Sequence, residues 1–255
     1  MILVFSSCIT RKQLLYLQYE NEIDNLEEFP KDSILRTHDL KIREYRIQPL
    51  DILSITFESL TDEEFDFFSK INENNQIGAG NANNLALQGV VVDSEGNIEY
   101  PVTGKVNLEG LTIFEAESML TSIAKKYLED PVVRVRLLNF RFTVLGEVNN
   151  EQVVNSINTR ITFMEAIGLA GGFGELADRS SVKVIRQSGS SSEVFYINPL
   201  EERFIESNFY YVQQNDIIIV APNKQRTFRN YFGQNLGVFT AAVSVVTLFI
   251  TILTL

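Results

Sequence analysis

Two side chains in this sequence stand out as carriers of chemistry, the thiol of Cys8 and the imidazole of His38. Each is the single residue of its type among 255, so an intramolecular disulfide is excluded and a Cys/His metal site nearly so. A histidine-activated hydroxyl nucleophile would need His38, which lies in a charged stretch and is expected to be solvated. The sequence therefore predicts no catalytic residue, no metal site, no cofactor and no enzymatic activity.

Two loops have some features of ligand-binding motifs but differ from them in spacing. Residues 78–83 read Gly-Ala-Gly-Asn-Ala-Asn, which lacks the third glycine of a dinucleotide loop and follows no predicted strand. Residues 93–96 read Asp-Ser-Glu-Gly, with the glycine two places too early for a calcium-binding EF-hand. Carboxylates are numerous, but no acid–base pair is singled out, so we interpret most of them as solvated.

Cys8 is predicted to be a lipid-attachment site. It ends the run Met-Ile-Leu-Val-Phe-Ser-Ser-Cys, in which apolar residues give way to small ones directly before the cysteine, as at the end of a bacterial lipoprotein signal. The run is short and contains no Lys or Arg, which suggests a start codon placed too late and a signal that is partly missing. Residues 1–8 would then be signal, with acylation of Cys8. The alternative is a free cysteine.

The end of the chain predicts a transmembrane helix within residues 223–255. No charged residue follows Arg229, and residues 236–255 would reach roughly 30 Å as a helix, about one hydrocarbon core. Lys224, Arg226 and Arg229 would lie at the lipid head groups. Small and hydroxyl residues recur every three or four positions, and the hydroxyls share a stripe roughly 80° wide. These positions are Gly237, Thr240, Ser244, Thr247, Thr251 and Thr254.

Three interpretations of that stripe remain open. The hydroxyls of a plain membrane anchor could bond their own helix carbonyls, the small residues could form a packing seam, or the stripe could line a wet pore.

Composition sets the remaining limits. A net charge of −11 argues against nucleic acid as a partner. With 45% hydrophobic residues, the chain can build one large or two small domains. Residues 9–44 are charged and are predicted to be a partly ordered tether. Residues 64–89 are rich in Asn and Gly and are predicted to form a mobile surface loop.

Residues 45–140 have the pattern of a small α+β domain. Apolar residues alternate at Leu53, Ile55 and Phe57, which predicts a half-buried strand. Two further strands are predicted on either side of a turn at Gly96. Thr112, with Glu115 three residues on, predicts a capping box at the start of a helix, and residues 132–137 predict a strand after it.

A second α+β domain is predicted over residues 141–222. A strand at 142–148 is followed by 151–155, which can return antiparallel to it. Thr162 predicts the start of a helix that Gly171 and Gly172 end. Strands follow at 182–186, 194–197 and 217–220, an arrangement similar to a β-grasp. The predicted fold class is thus α+β, in two consecutive domains followed by the C-terminal transmembrane helix.

The motifs, taken in order, resemble the bacterial outer-membrane polysaccharide-export family, including its second, SLBB-type domain. They are Tyr45-x-Ile47-x-Pro49-x-Asp51, Val92-Asp93-x-x-Gly96, Gly110-x-Thr112, Val144-x-Gly146-Glu147-Val148, Ala170-Gly171-Gly172 and Asp216-Ile217-Ile218-x-Val220. Two turns depart from the family pattern, since Leu50 and Asn215 stand where glycine is usual. Asn tolerates a left-handed backbone, whereas Leu50 predicts that its turn does not adopt φ > 0.

The resemblance implies an outer-membrane lipoprotein with periplasmic domains, assembled as a homo-oligomer, with an octamer suggested. It implies that capsular or extracellular polysaccharide passes through the assembly, and that the partner is an inner-membrane copolymerase, often a tyrosine kinase. The alternative from the residues is a tail-anchored or monomeric scaffold protein without a pore, since the cations before the last helix would favour a cytoplasmic location.

Overall fold

The computed structural model of the protein describes residues 15–19, 33–59, 89–100, 103–189 and 191–254. It has a mixed α+β fold, which confirms the predicted class. The loop predicted at 64–89 lies outside the described residues except for Gly89. At Gly89 an added Cβ would approach Ile52 to 2.8 Å, so this glycine is packed against a strand.

The first domain contains a three-stranded sheet, a hairpin and a helix. Its elements are β1 (Ile52–Glu58), β2 (Val90–Val91), β3 (Asn97–Tyr100), β4 (Gly104–Asn107), α1 (Ile113–Ala124) and β5 (Val132–Leu137). The sheet order is β2-β1-β5, with both pairs antiparallel. Alternate residues of β1 and β5 are buried, as the period-2 pattern predicts, while Arg134 and Arg136 point outward from β5.

The helix α1 is fixed at its start by the predicted capping box. The Thr112 hydroxyl accepts from the Glu115 N–H, and the Glu115 carboxylate accepts from the Thr112 N–H. The hydrogen bond from the Thr112 N–H, followed by the Thr112 side chain, lowers the pKa of the Glu115 carboxyl. The buried face of α1 is Ala116, Leu120 and Ala124. The helix therefore covers the sheet with one apolar stripe.

The predicted turn at Gly96 is present, and the two strands that flank it pair with different partners. Gly96 has φ +79°, and an added Cβ would lie 2.3 Å from the Cβ of Glu109. Strand β2 pairs with β1, and β3 pairs with β4. Local alternation identifies strands but does not choose their partners, because pairing depends on contacts distant in sequence.

The second domain is a five-stranded mixed sheet with one short helix. Its elements are β6 (Phe140–Gly146), β7 (Gln152–Ser156), α2 (Phe163–Leu169), β8 (Ala177–Ser188), β9 (Ser191–Ile197), a 3-10 helix (Glu202–Glu206) and β10 (Ile217–Pro222). The sheet order is β7-β6-β10-β8-β9. The first and last strands of the domain, β6 and β10, pair in parallel at the centre. The other pairs are antiparallel, including the predicted return of β7.

One apolar core runs from the first domain into the second. Its members include Ile47 and Leu53 from the first domain and Phe140 and Phe142 from the second. At the junction the rings of Tyr45 and Phe140 meet edge to face, with centroids 6.2 Å apart. The two domains are therefore packed on each other and not merely linked.

The segment predicted to be a tether contacts the second domain. The N–H of Gln18 donates to the Leu200 carbonyl, and the N–H of Glu202 donates to the Gln18 carbonyl at 2.9 Å. Gln18 and Glu201 thus form a parallel bridge. The tether prediction did not include this contact, because a single strand bridge leaves no periodic signal in the sequence.

The last helix, α3, covers Lys224–Thr254. Large apolar side chains along its described part are exposed, among them Val238, Val246, Phe249 and Ile252. Over the described residues, no helix combines the length and the apolarity needed to cross a membrane. The structure therefore does not support the transmembrane part of the predicted fold.

Candidate functional site

Two turns of the same design precede the first strand of one domain and the last strand of the other. In the first turn, the Asp51 carboxylate accepts the Gln48 N–H at 2.8 Å, and the Asp51 N–H donates to the Gln48 carbonyl at 3.2 Å. In the second, Asp216 and Gln213 repeat both contacts at the same distances. Each turn is thus closed twice, by backbone and by side chain.

The residue before each aspartate has a left-handed backbone, with φ +70° at Leu50 and +62° at Asn215. The prediction for Leu50 was wrong. The Leu50 N–H donates to the Val92 carbonyl, and the Leu50 C=O accepts from the Asn139 side chain. These two bonds hold the peptide groups on either side of the Leu50 Cα. Its side chain is 73% exposed and meets no steric obstacle. The cost of a left-handed leucine, roughly 1–2 kcal/mol, is offset by these bonds.

The two buried aspartates have different partners. Asp51 accepts a 2.6 Å hydrogen bond from the Tyr45 hydroxyl, and burial raises the pKa of both groups above their ordinary values. Asp216 instead receives two bonds from the Arg186 guanidinium, at 2.8 and 2.6 Å. The first turn is therefore held through a neutral partner and the second through a buried ion pair.

Asn139, at the junction of the domains, connects the two turns. Its side chain accepts from the Ile52 N–H at 2.9 Å and donates to the Leu50 carbonyl at 3.1 Å. Its own carbonyl accepts from the Gln214 side chain at 3.0 Å. The side-chain oxygen of Gln214 also accepts from the Arg141 N–H at 2.8 Å. This network fixes the position of one turn relative to the other.

Between the turns lies a cleft of about 1000 Å³, which we call the interdomain cleft. Its walls are the two turns, residues 41–46 before the first domain, and loops of the second domain. Five cations and three acids line it. The cations are Lys41, Arg43, Arg46, Arg141 and Arg160, and the acids are Glu44, Asp51 and Glu109. The cleft is locally cationic in a chain whose net charge is −11.

A second polar cluster holds residues 36–38 on the second domain. The Arg36 guanidinium donates two 2.7 Å bonds to the Glu202 carboxylate. The two ring nitrogens of His38 lie 2.6 Å from Glu202 and 2.8 Å from Glu206. The expectation of a solvated His38 was wrong, because its side chain is only 20% exposed and lies between two carboxylates.

The electrostatics of this cluster favour its charged form. Hydrogen bonds to Glu206 and Glu202 raise the pKa of His38 above its ordinary value of 6.5. The Arg36 guanidinium, followed by His38, holds the pKa of Glu202 below its ordinary value of 4.5. At pH values above the pKa of Glu202 and below that of His38, both side chains are charged. The N-terminal segment around residues 36–38 is then held most firmly.

Comparison with known proteins identifies both domains. Residues 41–138 match the family described as "Polysaccharide biosynthesis/export protein", and residues 140–220 match the SLBB domain. The two matches are consecutive and cover most of the chain. The chain belongs to the polysaccharide export family. Its two similar turns each lie at an end of one of these matched domains, and the interdomain cleft lies where the matches meet.

Two relatives from the polysaccharide export family are similar in sequence. "EPS I polysaccharide export outer membrane protein EpsA" of Ralstonia solanacearum is 27% identical over 195 residues, which are 72% of this chain and 49% of that protein. The protein of the same description in Ralstonia nicotianae is 29% identical over 105 residues, 40% of this chain and 28% of that protein. This family member thus spans about half the length of the relatives it matches.

The site residues predicted from the sequence are only partly placed. Cys8 lies outside the described residues, as do the side chains of Arg226, Arg229 and Thr254, whereas Lys224 is exposed at the start of α3. Within the described part of the chain, no group of His, Cys, Asp and Glu is arranged to hold a metal ion. Lipidation and the head-group flank therefore stay predictions.

The described part of the hydroxyl stripe, residues 237–251, is exposed, and its hydroxyls bond the helix itself. Ser244 donates to the Thr240 carbonyl at 2.8 Å, and Thr251 to the Thr247 carbonyl at 2.8 Å. Thr240 donates to the Gly237 carbonyl at 3.0 Å. This pattern leaves the oxygen lone pairs directed outward from one face. It is compatible with each of the three interpretations of the stripe.

The interdomain cleft was not predicted from the sequence. A signal was present, since Gln-x-x-Asp precedes both Ile52 and Ile217 and the same spacing is repeated. Three of the cleft cations also lie within residues 41–46 of an acidic chain. These signals do not show that residues 41–46, 139–141 and 208–215 lie side by side, because only the fold brings them together.

Proposed function

We propose that this chain is the outer-membrane component of a bacterial polysaccharide export system. The observation that carries the proposal is the consecutive match of an export domain and an SLBB domain, in the order expected from the motifs. The names of the two Ralstonia relatives, which describe outer-membrane export of EPS I polysaccharide, support it. As a transport component, the protein conducts a polymer and makes or breaks no covalent bond in it.

The proposed mechanism is a conduit built from several copies of the chain. Acylated Cys8 anchors each copy to the outer membrane, and the two domains lie in the periplasm. A ring of copies, eight by family resemblance, encloses a hydrated path. An inner-membrane copolymerase delivers the polymer to this ring. A long polymer needs weak, repeated polar contacts along such a path, since a deep binding well would stop its movement.

In this proposal α3 supplies the surface by which copies meet each other and the lipid. Its exposed apolar side chains, such as Val246 and Phe249, would be covered by neighbouring copies or by lipid. Its hydroxyl stripe would face the hydrated interior, where the polymer finds hydrogen-bonding groups without fixed charge. A monomeric anchor would give the stripe no such interior to face.

Deletion and complementation test the proposal. Loss of the gene should leave polysaccharide inside the cell envelope, and expression of the chain should return it to the cell surface. Protease added after opening only the outer membrane should digest residues 33–222. Images of the detergent-extracted protein should show closed rings. Protection of the domains from protease, together with single copies in the images, would indicate the tail-anchored scaffold instead.

A further inference from the structure

We propose that the interdomain cleft is a binding site for a sugar chain that carries carboxylate groups. This inference rests on the proposed function and adds to it a substrate class and a location. The cleft lies between the two matched domains, is walled by the two similar turns, and has a volume of about 1000 Å³. That volume is at the upper end of the range for small-molecule sites, so a short oligosaccharide segment fits.

The charges of the cleft point to an anionic ligand. Among the residues that the structure describes, Lys41, Arg43, Arg141 and Arg160 form no ion pair, although all four line the same space. Arg46 donates a hydrogen bond to the Gly110 carbonyl at 2.6 Å and forms an ion pair with the Glu115 carboxylate at 3.6 Å. Unpaired arginines beside one cavity suit carboxylates, because the planar guanidinium can donate two parallel hydrogen bonds to them.

The polar uncharged residues of the cleft point to a sugar. The side-chain amides of Gln48, Asn208 and Gln213 line the space and make no hydrogen bond to the described part of the chain. Each amide offers two donors and one acceptor, which suits the hydroxyls of a sugar ring. The cleft therefore contains cations that can bind carboxylates and amides that can bind sugar hydroxyls.

The walls of the cleft are held in place before a ligand arrives. Asn139 bonds both turns, and the Arg141 Nε donates to the Asn215 side chain at 3.2 Å. A preformed site has less to order on binding. The cations themselves are exposed, so each ion pair with the polymer is weak and screened by salt. The site would hold a passing polymer briefly, as a conduit requires.

Binding of defined probes to the purified full-length protein tests the inference. The probes are an oligogalacturonate, its methyl ester, and a polyglutamate of equal charge. The oligogalacturonate should bind, and its affinity should fall as salt is raised. The uncharged methyl ester and the sugar-free polyglutamate should each bind at least tenfold more weakly. Equal binding of the ester would refute carboxylate recognition, and equal binding of polyglutamate would refute sugar recognition.

Two double variants locate the site. Arg43→Gln with Arg160→Gln removes two unpaired cleft cations and should weaken oligogalacturonate binding about four- to twenty-five-fold, from about two- to fivefold for each exposed pair. The matched control, Arg134→Gln with Arg136→Gln, removes the same charge from the outer face of β5 and should bind like wild type. Equal losses in the two variants would overturn the site.

The number of copies in the assembly distinguishes a ligand-binding cleft from a cleft that forms an interface between copies. If the cleft variant changes the number of copies in the ring while its affinity for the probe is unchanged, the cleft is an interface between copies and the inference fails. The export test by deletion and complementation is independent. Export restored by a chain that binds no probe would refute the binding site and leave the proposed function standing.

Discussion

The two similar turns provide a sharp test of how this fold is held together, because they share a backbone design and differ in charge. Asp216→Asn removes the negative charge opposite Arg186, whose side chain is 10% exposed against 1% for Asp216. An uncompensated buried guanidinium costs about 3–5 kcal/mol. Asp51→Asn replaces a carboxylate whose partners are the Tyr45 hydroxyl and the Gln48 N–H. An amide keeps one acceptor for them, so that change costs about 0.5–1.5 kcal/mol.

The free energy of unfolding in urea, followed by circular dichroism on the full-length chain at pH 7, measures both variants. Asp216→Asn should be the less stable of the two by about 2 kcal/mol or more, at least a tenfold difference in the folded-to-unfolded ratio. A double replacement, Arg186→Met with Asp216→Asn, serves as the control, because the amide keeps an acceptor for the Gln213 N–H. It should recover most of the loss, because no buried charge is left unpaired. Equal stability of the two single Asn variants, or no recovery in the double variant, would show that an unpaired Arg186 charge does not cause the loss.

Three further predictions follow from the structure. Raising the pH through the elevated pKa of His38 should lower the protection factors of the amides in residues 33–44 against hydrogen exchange, because the protonated ring holds this segment. Acidification below the ordinary pKa of Glu202, 4.5, should loosen it too, and His38→Gln should abolish only the effect of high pH. Gly146→Ala should destabilise the second domain by several kcal/mol in the same urea assay, because its φ is +92° and a Cβ would lie 2.1 Å from a carbonyl oxygen of β10; a change below 1 kcal/mol would contradict this packing. In the assembled protein, Thr247→Cys should react with a water-soluble thiol reagent and Phe249→Cys should not, whereas equal labelling would remove the hydrated interior from the proposal.

Elements with strong local signals could be predicted from the sequence. The start of α1 followed from the spacing of Thr112 and Glu115, and the start of α2 followed from Thr162; the structure has a capping box at each. Strand β1 followed from alternation, because one of its faces is buried. Gly171 and Gly172, at φ +78° and +89°, end α2 where the sequence placed its end.

Features that depend on contacts distant in sequence could not be predicted. Leu50 adopts a glycine-like backbone because Val92 and Asn139 bond its peptide groups, and neither is local to it. His38 pairs with carboxylates more than 160 positions away. The interdomain cleft joins several separate stretches of chain, from residues 41–51 to residues 208–215. In each case, local propensity was overruled by tertiary hydrogen bonds.

If this chain takes part in polysaccharide export, as proposed above, the partition of newly made polymer between cells and medium should depend on it. A pulse of labelled sugar would be given to a deletion strain and to the same strain expressing the chain. We expect labelled polymer in both strains, retained in the envelope of the first and released to the surface and medium by the second. Release in the deletion strain equal to that in the complemented strain would contradict it.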